Sequence, residues 1–207
     1  MQRRWIFSSD SDPVVVQAVQ RDLSIPAFLA RILVNRGFTD PVDADTYLNP
    51  KLRALSAPEL LPDMVLARDR VLAAIQRKER VVLYGDYDVD GTTSLAILAR
   101  IFRAYGVDVG CFLPLRFEEG YGLSEAGLKR CCDLHNPQLL IAVDCGTTSV
   151  SQIAQLKRSG VDVVVLDHHE LASERPECLA LVNPKCGDDF HYLCSAGVVF
   201  KLVHALL

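Results

Sequence analysis

VVLYGDYDVDG (81–91), LLIAVDCG (139–146) and VDVVVLDHH (161–169) each consist of a short apolar run that ends abruptly in acidic residues. The runs are four to six residues long and rich in Val, Ile and Leu. That pattern predicts strands buried on both faces, as in a parallel sheet covered by helices. The segments between them have helical spacing. Helices are predicted over about 92–104, 124–134 and 149–158, with another from near Ser195 to the last residue, and VDVGCFL (107–113) reads as a further strand. Strands alternating with helices predict an α/β fold, a mostly parallel sheet with helices on both faces and right-handed connections. The pattern does not give the order of the strands.

Upstream of Val81 the period changes. Residues 1–80 are expected to form an N-terminal helical appendage and connector, and residues 81–207 the α/β domain. The first twelve residues read as a polar start. A helix is predicted over 25–35, with Ser24 as its cap, Pro26 in its first turn and Gly37 beyond its end. A short helix follows Thr39-Asp40-Pro41 toward Leu48. Residues 49–62, with Pro50, Pro58 and Pro62, read as a connector, and Asp63 is expected to cap a longer helix bearing Val65, Leu66, Leu72 and Ile75.

The composition bounds what such a chain can be. Its 207 residues are 50% hydrophobic and 23% charged, which fits a soluble globular protein and excludes a disordered one. No apolar run approaches the ~20 residues of a membrane-spanning helix, so no membrane partner is expected. MQRRWIFSSDSD (1–12) has arginines without an apolar stretch behind them and is not a secretory signal. Seven cysteines, an odd number, point to a reduced, cytoplasmic compartment. Neither Cys131-Cys132-x2-His135 nor Cys186-x4-His191-x2-Cys194 has the paired short spacing of a zinc finger. The net charge of -4 excludes a wrap-around basic binder but not a local nucleic-acid groove. Residues 1–80 hold 12 basic and 10 acidic side chains, residues 81–207 hold 10 and 16, so the acidic excess belongs to the α/β part.

In open parallel sheets, ligands collect outside the carboxyl ends of the strands. Here three strand ends deliver Asp86, Asp88 and Asp90, then Asp144, then Asp167, His168 and His169. Close carboxylates on a low-dielectric rim repel one another by about a few kcal/mol per pair at an effective dielectric near 20. No Lys or Arg lies within these loops to offset them, so a bound divalent cation is expected, and an oxygen-rich set with imidazole suits Mg²⁺ or Mn²⁺. A carboxylate shared between strand ends could bridge two ions. The string Asp86-x-Asp88-x-Asp90-Gly91 resembles the start of a calcium loop, but the twelfth position is Ile97, not glutamate. Gly85 and Gly91 do not make a Walker-type phosphate loop either. Helix starts at Thr92 and at Thr147, Thr148 and Ser149 could hold a phosphate oxygen through backbone N–H groups.

Simpler readings stand beside these. Asp86, Asp88, Asp90 and Asp144 could each cap the helix that follows. His168 and His169 are adjacent, so on an extended backbone they face opposite ways. One of the two is then expected as a direct ligand, the other as a substrate contact or a partner for a carboxylate. A histidine with a purely structural hydrogen bond is the bland alternative for each.

The chain resembles the DHH phosphoesterase superfamily, and within it the RecJ-type single-strand-specific exonucleases. The resemblance rests on LYGDYDVDGTTS (83–94), PLRFEEGYGLS (114–124), LLIAVDCGTTS (139–149), VVVLDHHE (163–170), LVNPK (181–185) and SAGVVFKL (195–202), in that order. LARILVNRG (29–37) resembles the amino-terminal region of the same enzymes. The resemblance implies that Asp86, Asp88, Asp90, Asp144 and His168 hold two divalent ions, Mn²⁺ or Mg²⁺. It gives Asp167 a supporting role, makes His169 a catalytic and substrate-facing residue, and places Arg116 and Tyr121 near the substrate. Arg116 would approach a phosphate, or else pair with Glu118 or Glu119; Tyr87 and Phe117 are further candidates for the channel.

What the resemblance implies about activity is hydrolysis of phosphodiester bonds from the 5′ end of single-stranded DNA, in DNA repair and recombination, with other repair proteins as partners. Two departures qualify it. Cys145 stands where the family commonly has Asn. A further metal-binding aspartate, and the domains that help grip DNA, would lie beyond Leu207, so the sequence resembles roughly the front third of such an enzyme. A phosphoesterase acting on short oligonucleotides or cyclic dinucleotides, and a non-catalytic nucleic-acid-binding relative, remain open as alternatives.

Overall fold

The computed structural model describes residues 11–207, which divide into two compact units, one ending at Ser56 and the other Ala57–Leu207. Among the described residues the first holds three α-helices, α1 (Pro13–Leu23), α2 (Ala27–Asn35) and α3 (Pro41–Leu48), around a small core of Val19, Ala30, Leu33 and Ala44. The short helix expected toward Leu48 forms as α3, and Asp40 caps it, its side chain accepting from Val42 and Asp43 N–H. Ser24 does not cap α2. It is the left-handed C-cap of α1, at φ 52°, and Pro26 leads into α2. The sequence reading had no helix over 13–23, although Asp12 and Pro13 are a start signal, with the Asp12 carboxylate accepting from Val14 N–H.

The second unit begins with α4 (Met64–Arg77), followed by β1 (Val81–Gly85), α5 (Val89–Ala104), β2 (Gly110–Phe112), α6 (Glu125–His135), β3 (Leu139–Val143), α7 (Val150–Arg158), β4 (Asp162–Leu166), β5 (Ala180–Val182) and α8 (Ser195–Leu206). The five strands form one parallel sheet in the order β2-β1-β3-β4-β5. Side chains alternate across it. Val81, Leu83, Leu139, Ile141, Val143, Val164 and Leu166 face the core built with α4, α5 and α8. Val82, Tyr84, Leu140, Ala142, Val163 and Val165 face the other side, with Leu128 and Cys131 of α6 and Ile153 and Leu156 of α7. This is the expected α/β fold with helices on both faces. β5 was not anticipated, and the strand predicted over 107–113 contracts to three residues.

Asp63 does not cap α4. Its side chain makes no bond to the helix and instead accepts from Leu181 N–H at 3.0 Å, tying the helix start to β5. Among the described residues no helix is long and apolar enough to cross a membrane.

The sheet order fixes the position of the site. β1 connects outward to β2, and the chain then returns across β1 to lay down β3 on its other side. The switch point therefore falls between β1 and β3, where open parallel sheets bind ligands. Register sharpens this, because Gly85 pairs with Val143 and Val143 with Leu166. The next residue of each strand is an aspartate, so Asp86, Asp144 and Asp167 follow one row across the sheet.

Candidate metal centre

Asp86 is wholly buried, and neither carboxylate oxygen has a hydrogen-bond partner of normal geometry. Burial raises its pKa, the Tyr87 amide offsetting part of the shift. Asp88 is the N-cap of α5, and its Oδ1 accepts from Gly91 N–H at 2.9 Å, which lowers its pKa. The chain turns tightly there, and a Cβ on Gly91 would lie 2.4 Å from the Asp86 carbonyl oxygen. Asp90 lies in the first turn of α5 and faces α8: its Oδ2 accepts from Ser195 N–H at 2.7 Å and its Oδ1 from Ala196 N–H at 2.8 Å.

Asp144 adopts φ 59°, a left-handed conformation that non-glycine residues rarely hold. It is buried, with Oδ2 unpartnered. Burial, followed by the charges of Asp90 and Asp88, pushes its pKa up to about 7. Oδ1 of Asp144 is 3.4 Å from His168 Nε2, which also lies 3.6 Å from Asp90 Oδ2.

Asp167 is equally buried but fully engaged. It accepts from His168 N–H at 2.7 Å, from Thr147 N–H at 3.0 Å and, at 2.7 Å, from His169 Nδ1. Burial opposes ionisation, but the bonds from His169 and Thr147 outweigh it and hold the carboxyl at about 2. The same bond raises the pKa of His169, whose Nε2 meets the Tyr121 hydroxyl at 3.2 Å. The two histidines do not face opposite ways. The backbone bends at His169, and their ring centroids are 4.8 Å apart. Thr147 N–H, considered above for a phosphate, is committed to Asp167.

The ligand atoms of Asp86, Asp88 and Asp144 lie within 4.8 Å of one another, as do those of Asp144, His168 and His169. Asp144 belongs to both groups. Three oxygens here, both of Asp86 and one of Asp144, are buried without a partner. Such groups are costly unless something satisfies them, and a divalent cation bound by oxygen and imidazole suits this donor set. The residues therefore fit the ions the sequence points to.

Around this centre the loop 113–124 is built stiffly. Glu119 forms a two-pronged pair with Arg130, at 2.6 and 2.7 Å, and also accepts from Leu115 N–H at 2.8 Å. Arg116 pairs with neither glutamate named above but lies over the Tyr87 ring, 5.1 Å from its centroid. Tyr87 meets Tyr121 edge-on, and Tyr121 meets His169 in the same way. Phe117 is 98% exposed. A cleft of ≈ 450 Å³ opens beside His169, lined by Tyr121, Gly122, Cys145, Gly146 and Asp167.

Two contributors carried no site role in the sequence reading. Tyr84 donates its buried hydroxyl to Gly122 O at 2.9 Å and so fixes the loop end. Asn183 Nδ2 donates to Thr147 Oγ1 and His169 O, both at 2.9 Å, holding the second and third strand ends together. The only sequence signal for Asn183 is its place in LVNPK, immediately after an apolar run.

The model of the DHH family's N-terminal domain matches residues 80–206. The chain belongs to the DHH family. It is 36% identical over 208 residues to the single-stranded-DNA-specific exonuclease RecJ of Bacillus subtilis, a match spanning 99% of this chain and 26% of that protein. RecJ from Thermus thermophilus in complex with Mn²⁺ matches with a TM-score of 0.76 and 30% identity, over 95% of this chain and 27% of that one. The same protein in complex with Mg²⁺ matches with a TM-score of 0.62 and 26% identity, over 95% of this chain and 23% of that one. The chain thus spans about a quarter of the length of the RecJ relatives it matches.

Proposed function

We propose that this DHH domain is the metal-dependent catalytic part of a single-stranded-DNA exonuclease that hydrolyses phosphodiester bonds from the 5′ end, in DNA repair and recombination. The observation that carries the reading is the sharing of Asp144 between two ligand groups, with three unpartnered carboxylate oxygens buried around it. The RecJ relatives support it, as does their binding of Mn²⁺ and Mg²⁺.

Asp86, Asp88 and Asp144 would hold one divalent ion, Asp90, Asp144 and His168 the other. When bound, two such ions activate a water for in-line attack and stabilise charge on the attacking and leaving oxygens. The protein's own contribution is geometric. Asp167 and Asn183 fix the backbone and ring of His169, whose Nε2 edge, together with the Tyr121 hydroxyl, borders the cleft. Arg116, held over Tyr87, presents a guanidinium to a phosphodiester. Exposed Phe117 and Tyr121 offer faces on which unstacked bases can lie.

Calorimetry at neutral pH tests the ion site. Mn²⁺ uptake is expected in the parent chain and lost in Asp88→Ala/Asp144→Ala; no uptake by the parent overturns the reading. Mononucleotide release, ordered from the 5′ end of a labelled single strand, tests direction.

A further inference from the structure

The loops that follow the five strands carry three basic side chains: Arg116 after β2, Arg175 after β4 and Lys185 after β5. The loops after β1 and β3 have none. Bound ions would neutralise the carboxylates at the centre, but a nucleic-acid strand extends past them with a charge on every phosphate, and it needs cations along its path. Arg116 stands on the β2 side of the centre. Lys185 stands on the other side, since β5 is two strands from β3, about 10 Å at the usual strand spacing. Arg175 directly follows Glu174 and lies well along its loop.

Lys185 is held in place rather than merely exposed. It lies in a short 3₁₀ turn, Pro184–Cys186, close behind β5, and its N–H donates to Asn183 Oδ1 at 2.9 Å. Asn183 is wholly buried, and its Nδ2 donates to His169 O. One side-chain amide therefore sets Lys185 relative to His169. The Lys185 side chain is 28% exposed and pairs with Glu170, the residue after His169, whose own side chain is 82% exposed. The cation is thus anchored and largely covered, while its carboxylate partner stands in solvent. A pair of that kind is weak in water, and a phosphodiester offers a lysine the same anionic oxygens as a carboxylate.

We propose that Lys185 is a phosphate contact for the single strand on the β5 side of the metal centre, and that Glu170 occupies it as a stand-in until the strand displaces the carboxylate. The proposal rests on the reading of this domain as part of a single-stranded-DNA exonuclease, and its test separates the two.

The probe is a labelled, phosphorothioate-linked oligothymidylate, which resists hydrolysis, titrated with Mn²⁺ present at several salt concentrations. Lys185→Gln should weaken binding by about three- to tenfold and make the slope of log affinity against log salt shallower by about 0.7, the value for one phosphate of a single strand. Lys185→Arg should bind within about twofold of the parent, because the charge is kept. Glu170→Gln should tighten binding by about two- to fivefold, and that gain should vanish in Glu170→Gln/Lys185→Gln. Lys78→Gln removes the same charge just before β1, at the opposite edge of the sheet, and should change affinity by less than about twofold. Unchanged affinity and slope in Lys185→Gln overturn the contact, as does an equal loss in Lys78→Gln. A loss of Mn²⁺ affinity in Lys185→Gln, measured by calorimetry, overturns it too, by making the lysine a support of the metal centre. A gain from Glu170→Gln that survives in the double variant overturns the stand-in role. A parent chain that binds no oligonucleotide fails the exonuclease reading and this proposal with it, whereas a parent that binds no better than Lys185→Gln fails the proposal alone.

Discussion

Gly91 lies against the main chain of Asp86 so closely that a Cβ there would stand 2.4 Å from the Asp86 carbonyl oxygen and 2.8 Å from its nitrogen. The contact is backbone on both sides, so no flexible side chain can yield. It lets the first strand end fold back, and the ligand atoms of Asp86 and Asp88 lie within 4.8 Å of each other. Gly91→Ala is expected to cost about 1–3 kcal/mol, as overpacking in a rigid site does. Denaturant unfolding should show it, and calorimetry should show Mn²⁺ affinity falling even though no ligand has been changed.

The raised pKa of Asp144, about 7, makes the metal-free protein pH-sensitive. An unfolded aspartate ionises near pH ~3.9. Between about pH 4 and 7 the folded chain therefore holds a proton that the unfolded chain has lost, and stability falls as pH rises through that window. Thermal midpoints in EDTA should decline from pH 5 to 8, and Asp144→Asn should remove most of the decline. Saturating Mn²⁺ should flatten it as well, because a cation replaces the proton. A decline of equal size in Asp144→Asn would assign the effect to another group.

The opposite sign holds at Asp167, whose carboxyl is kept at about 2. Its contribution is fully present above about pH 4 and is lost as pH falls toward 2. Asp167→Asn leaves one acceptor oxygen for donors on His168, His169 and Thr147. It should cost about 3 kcal/mol at neutral pH, the scale for removing one partner of a buried charged network. Urea titrations should give a clearly smaller difference from the parent at pH 3.

What could be read from the chain, and what could not, follows sequence distance. β1, β3 and β4 were legible because they are buried on both faces and need no partner to be recognised. Their acidic ends were legible because a parallel register carries one strand end beside the next. β5 has three residues, too few to show a period. α1 was hidden by Val14, Val15 and Val16, a β-like run that Asp12 and Pro13 nonetheless turn into a helix start. The hydrogen bonds that Asp90 accepts from α8 reach 105 and 106 positions along the chain, which no spacing rule shows. The Tyr84 bond to Gly122 spans 38 positions and the Asn183 bond to Thr147 spans 36, and no local pattern announces either.

The loop that carries Arg116, Phe117 and Tyr121 depends on a residue outside the site. Arg130 of α6 grips Glu119 with two bonds, donates to Leu113 O at 3.0 Å and lies 4.1 Å from the centroid of the Phe112 ring. Glu119 in turn holds Leu115 N–H, so one guanidinium closes both ends of the turn. A lysine supplies charge but not the planar fork, and it should not replace this arginine. Arg130→Lys is expected to speed protease cleavage within residues 114–120 and to weaken single-stranded oligonucleotide binding several-fold. Mn²⁺ affinity should stay unchanged, because no ligand belongs to the loop. Loss of Mn²⁺ binding alongside the oligonucleotide would mean that the loop supports the metal centre rather than the strand.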